Sequence, residues 1–137
     1  MRLMILTLAL GPVIGLAACA ETPKQTASRL QGEERDRMEL DRELIGLVAG
    51  QPQTCLPTFQ RRDSRSFGDT LVYRSGRVRY VTQVPGCRSI GENNILVTVS
   101  TGGQLCRGDI ATTVDNSSRI QNGSCSFGDF TPYRPPS

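Results

Sequence analysis

Histidine and tryptophan are both absent from the 137 residues, and aromatic side chains make up only 5% of them. Without histidine the chain lacks the commonest general base, the commonest metal ligand and every Ser-His or Cys-His nucleophile pair. Carboxylate chemistry is what remains. Glu92, Asp109, Asp115 and Asp129 are the candidates, and a glycan hydrolase would need two of them facing one cleft about 5–9.5 Å apart. Asp109 and Asp129 each directly follow a glycine, a place where aspartate ordinarily shapes a turn. No C-x-x-C occurs either, so zinc-ribbon and thioredoxin-like chemistry lack their spacing. No metal, no cofactor and no catalytic residue are expected.

What is present begins with an address. Arg2 precedes an apolar run from Leu3 to Leu16, broken only by Thr7 and Gly11-Pro12, and Leu16-Ala17-Ala18-Cys19 follows. A charged start, an apolar stretch too short to span a bilayer comfortably and small residues before a cut site make a secretory signal peptide. The last four residues resemble a bacterial lipobox. That resemblance implies cleavage before Cys19, a diacylglycerol thioether on its sulfur and acylation, typically palmitate, of the new amino terminus. Ala20 rather than Asp at the next position favours the outer membrane, facing the periplasm, by similarity to the enterobacterial sorting rule.

Removing residues 1–18 leaves 119, enough for one domain and one small core. Assigning Cys19 to lipid leaves Cys55, Cys87, Cys106 and Cys125, an even set suited to two disulfides in an oxidising compartment. Three connectivities are open. Cys55 with Cys106 and Cys87 with Cys125 is favoured, because each link then ties an early strand to a late one. A loop of about 50 residues closed this way stabilises a fold by roughly 4 kcal/mol on the chain-entropy model.

In chain order, 19–28 is polar and reads as a lipidated tether. The segment 29–50 carries Leu40, Leu44, Leu47 and Val48 at helical spacing, with Gly46, Gly50 and Pro52 as stop signals. It predicts an amphipathic helix whose last turns dock on the domain. A less favoured reading has a partner helix cover Leu40, Leu44 and Leu47.

The remainder, 51–137, shows short alternating segments between turns. The expected fold is mainly β: a small antiparallel sheet or partly open barrel with one N-terminal helix and two disulfides. Ser75-Gly76 is expected to close a hairpin that places Leu71, Tyr73, Val78 and Tyr80 on a core face. Val72, Arg74, Arg77 and Arg79 then lie on an exposed face. Ile95, Val97 and Val99 share one side of the strongest strand, Ile110, Thr112 and Val114 alternate in another, and Asn122-Gly123 signals a further hairpin. Ser66-Phe67-Gly68-Asp69 with Tyr73-Arg74 is echoed 60 positions later at Ser126 to Arg134; two similar strand entries account for it.

Charge is uneven. Residues 55–90 hold 7 basic and 2 acidic groups in a chain of net charge +3. Arg74, Arg77 and Arg79 form a candidate patch for an anionic envelope component or an acidic protein. In the competing and favoured reading, Glu33, Glu34, Glu39, Asp41 and Glu43 of the helix supply the counter-charges. Nucleic acid is not expected as a partner, since the anchor faces the wrong compartment.

Gln104-Leu105-Cys106-Arg107-Gly108-Asp109-Ile110, Phe127-Gly128-Asp129-Phe130-Thr131-Pro132-Tyr133-Arg134 and Ile95-Leu96-Val97-Thr98 together resemble a family of small proteobacterial lipoproteins. The resemblance runs from about Val48 to Arg134. It implies a compact domain after a lipidated leader and transfers no catalytic residue. The expectation is a lipid-anchored envelope protein with a structural or binding role. An inhibitor of an envelope-attacking enzyme such as lysozyme, presenting the loop from Pro85 to Asn94, is the first alternative. A carboxylate-dependent glycan hydrolase is the second.

Overall fold

The computed structural model describes residues 21–60, 63–87, 90–91, 93–100 and 102–137. Residues 1–20, which hold the expected leader and Cys19, lie outside them, as do Arg61, Arg62, Arg88 and Glu92. Helix α1 spans Pro23–Leu44, so it starts earlier than the apolar spacing predicts and takes up Pro23 to Ser28 of the expected tether. Local capping explains the early start. The Thr22 side chain accepts from the Gln25 amide, the Gln25 side chain accepts from the Thr22 amide at 2.9 Å, and Pro23 holds the first helical position. At the other end Gly46 adopts φ +73° and the Leu47 amide reaches back to the Leu44 carbonyl, which stops the helix before Val48.

Val48–Ala49 is instead the first strand, β1. It joins β3 (Asp63–Phe67), β4 (Thr70–Ser75), β5 (Val78–Gln83) and β10 (Thr131–Arg134) in an antiparallel sheet of order β1-β10-β5-β4-β3. Two smaller sheets complete the domain: β2 (Cys55–Pro57) with β7 (Gln104–Cys106), and β6 (Asn94–Thr98), β8 (Ile110–Asp115) and β9 (Gln121–Ser126) in the order β6-β8-β9. Among the described residues the fold is mainly β, with one α-helix and small antiparallel sheets that do not close into a barrel.

Both favoured disulfides are present, Cys55–Cys106 and Cys87–Cys125. Cys55 and Cys106 are direct cross-strand partners with Cα atoms 4.0 Å apart. Around them Leu56, Leu71, Tyr73, Tyr80, Leu105, Phe127 and Phe130 form the core. Each fully buried leucine there contributes about 1.5–3 kcal/mol relative to exposure.

Three expectations need correction. The two-residue loop of the β4–β5 hairpin is Gly76-Arg77, so Arg74 opposes Arg79 and Tyr73 opposes Tyr80. Gly76 carries the positive φ at the first loop position, where a type II′ turn demands it. The shift moves partners by two residues, which leaves every strand side chain on its expected face and puts Arg77 in the loop. The second correction concerns Val72: it is fully buried rather than exposed, as is Phe67 on the same face, and neither belongs to the main core cluster. That face is covered by α1.

In β6, Ile95 and Val97 share a side as expected, and that side is the outer one. Leu96, Ala111 and Thr113 point inward, which leaves Ile95, Val97 and Ile110 exposed. Small inner residues are what fit beneath this sheet, because the Cys87–Cys125 bridge occupies the space. Third, Asn122-Gly123 lies inside β9, and the hairpin turn precedes it. There the Asp115 carboxylate accepts the Ser117 and Ser118 amides, and Arg119 takes a left-handed φ of 62°. Gly123 answers to packing: a Cβ there would meet Thr113 Oγ1 at 2.4 Å.

The two Ser-Phe-Gly-Asp echoes meet at the end of β5. The Val84 amide donates to the Asp69 carbonyl and the Gly128 amide to the Gln83 carbonyl, and both phenylalanines are buried. The likeness ends in the backbone, since Gly68 turns at φ +57° while Gly128 has no positive φ. Tyr73 is buried; in the second copy Pro132 takes the inward position instead of Tyr133.

Candidate functional site

Charge concentrates where α1 crosses the main sheet. Glu39 and Glu43 are one helical turn apart, which puts both on the sheet-facing side. Arg74, in β4, and Arg79, opposite it in β5, would repel each other as a like-charged cross-strand pair. Glu43 lies between them. Its Oε2 is 2.5 Å from Arg74 Nη2 and its Oε1 is 2.7 Å from Arg79 Nε, with a further Arg74 Nε contact at 2.8 Å. Asp63 adds a looser contact to Arg74 at 3.4 Å, and Arg79 Nη1 donates to the Gly76 carbonyl at 2.9 Å. Arg65 Nη2 reaches Glu39 Oε2 at 2.8 Å and its guanidinium lies 5.0 Å from the centre of the Phe67 ring.

These contacts set the electrostatics. The hydrogen bond from Arg74, assisted by that from Arg79, holds the Glu43 carboxyl below the usual carboxylate range, against the opposing effect of burial. The Arg74 guanidinium is correspondingly raised, chiefly by Glu43. Of the five helix acids considered as counter-charges, Glu39 and Glu43 are joined to the sheet. Glu33 pairs within the helix with Arg29 at 2.8 Å and Glu34 with Arg37 at 3.5 Å. Of the three patch arginines, Arg74 and Arg79 are therefore ion-paired, and Arg77 stands exposed in the turn. Glu43 occupies the position that an external anion would take.

Beside these pairs α1 and the sheet leave an open cleft of about 680 Å³, lined by Arg29, Gly32 and Asp36 from the helix and by Arg65, Gly68 and Ile90 from the sheet side. Both signs of charge line it.

The carboxylates weighed for catalysis have local duties. Asp109 accepts the Cys106 amide at 2.8 Å across the β7–β8 turn, Asp129 pairs with Arg107 at 3.2 Å, and Asp115 caps the β8–β9 turn. The Ser118 amide is the main cause of a lowered Asp115 carboxyl. The described part of the Pro85–Asn94 loop is held at both ends: Cys87 is bonded to Cys125, and the Ile90 carbonyl accepts the Ser66 hydroxyl.

Sequence reasoning passed over Asp63 and Asp36, and it assigned the apolar residues of β6 no exposure. The i, i+4 spacing of Glu39 and Glu43 was the available signal for the ion-pair cluster. For β6, the number of small residues in β8 and β9 was the corresponding clue. No family model matches the chain, and neither a curated protein nor a solved structure does.

Proposed function

We propose that this protein is exported, lipidated at Cys19 and held at the outer membrane as an envelope protein with a structural or binding role. The cysteine partition carries the reading. Four of the five cysteines are consumed in Cys55–Cys106 and Cys87–Cys125, which suits an oxidising compartment, and the remaining one is the cysteine of the lipobox-like segment. The similarity to small proteobacterial lipoproteins points the same way. The binding role is assigned to the folded domain as a whole; the pairing of Arg74 and Arg79 with Glu43 weighs against these arginines as the contact for an external anion.

Metabolic labelling with a palmitate analogue, followed by membrane fractionation, tests it. The wild-type chain takes up label and pellets with membranes, while Cys19→Ala takes up none and leaves the membrane fraction. Equal behaviour of the two forms would reject the anchor.

A further inference from the structure

The outward face of the β6-β8-β9 sheet carries Ile95, Val97, Ile110, Thr112 and Val114, together with Gln121, Ser124 and Ser126 from β9. None is charged. Ile95 is 43%, Val97 41% and Ile110 57% exposed, and Val99 just beyond the strand is 81% exposed. Ile95, Val97 and Ile110 make an exposed aliphatic row along β6 and β8, and such a row on the surface marks a contact.

The fold fixes where that face lies relative to the start of α1. Glu43, near the C-terminal end of α1, sits over Arg74 and Arg79 beside the Gly76-Arg77 turn. Asp36, two turns earlier, sits over Gly68 at the opposite end of the main sheet, with its Oδ2 3.4 Å from where a Cβ on that glycine would lie. The N-terminal half of α1 therefore runs out beyond the Gly68 end. At that same end β5 leaves the sheet, held by the Val84–Asp69 backbone bond, and the chain continues to Cys87 and its bridge to β9. The small sheet and the start of the helix thus share one end of the molecule. Between Cys19 and Pro23 lie only Ala20, Glu21 and Thr22, a reach of at most about 14 Å when fully extended.

We infer that the uncharged outer face of β6 and β8 rests on the lipid surface to which Cys19 ties the chain. This rests on the anchor proposed above. A short link brings the face to the bilayer at high effective concentration, and β-branched side chains inserted at the headgroup boundary add a second attachment to the acyl anchor.

The test uses the full lipidated chain in vesicles of phosphatidylethanolamine and phosphatidylglycerol. The protein contains no tryptophan, so Val97→Trp and Ile110→Trp each install a single reporter at an exposed position. Val48→Trp, in β1 beyond the C-terminal end of α1, is the control. With brominated acyl chains, fluorescence of the reporters at 97 and 110 is lost and their emission shifts to the blue, while the control is unaffected. Vesicle-bound protein whose reporters at 97 and 110 remain unquenched overturns the contact and leaves the anchor standing. Reporters shielded from iodide but not quenched by bromolipid, together with self-cross-linking, assign the face to a second copy and overturn the lipid contact. A wild-type chain that fails to pellet with vesicles removes the anchor and the inference together.

Discussion

The two faces of the main sheet are closed by different physics. One lies against an apolar core with two disulfides, containing Leu56, Leu105 and Phe130 at zero exposure. The other takes α1, a helix with no buried residue, and holds it through Glu39 and Glu43, with Val72 and Phe67 covered beneath. Apolar burial is insensitive to salt and pH over ordinary ranges, whereas ion pairs at a half-exposed seam are screened and titrated. The comparison teaches that the sheet is the permanent part and the helix the conditional one.

The largest effect should come from the first face. Reducing or replacing both disulfides removes constraints spanning 51 and 38 residues, each worth roughly 4 kcal/mol on the chain-entropy model. That is enough to unfold a domain of this size, and circular dichroism with and without reductant would show it. Next, Leu105→Ala should cost about 3 kcal/mol through lost burial and the cavity left behind, read as a lower denaturant midpoint with helix and sheet lost together.

On the second face, Glu43→Gln leaves Arg74 and Arg79 opposed without their shared carboxylate. About 1–2 kcal/mol is expected, less than for a deeply buried pair because both guanidinia are partly solvated. The loss should appear as faster amide exchange in α1 while β4 and β5 keep their protection. A uniform loss of protection would show that the two faces do not act separately.

Acid probes the same seam. The folded Glu43 carboxyl is depressed, so its stabilisation is complete above the unfolded value of about 4.3 and disappears as pH falls through the folded one. Lowering the pH from 5 to 3 should loosen α1 in the wild type and change Glu43→Gln less. The smallest effect is expected from Glu39→Gln, whose partner Arg65 is half-exposed. About 0.5 kcal/mol is expected, and it should fade in high salt.

The cysteine pairing was legible in the sequence because linking early strands to late ones is the geometry that a small antiparallel domain imposes. The faces of β4 and β5 were legible too, since alternation survives the two-residue change in pairing. The start of α1 was not read, because its signal lies in the Thr22-Pro23-Gln25 cap while apolar spacing begins only near Leu40. The direction of β6 escaped for a different reason. Periodicity says that Ile95 and Val97 share a side, but which side is inside depends on what fills the space beneath, and a disulfide fills it here. The ion-paired seam was legible as a charge balance. Its members were not, since only the crossing of α1 over the sheet selects Glu39 and Glu43 from five acids.

One feature of the main sheet bears on when the domain can form. β10, the last strand described, lies between β1 and β5, and Val48 pairs with Arg134. β1 therefore has no strand beside it until residues 131–134 have arrived. Pairings so distant in sequence close slowly, so the sheet is completed only once residues 131–134 are in place. A chain built this way leaves its main sheet open at β1 until β10 has been made.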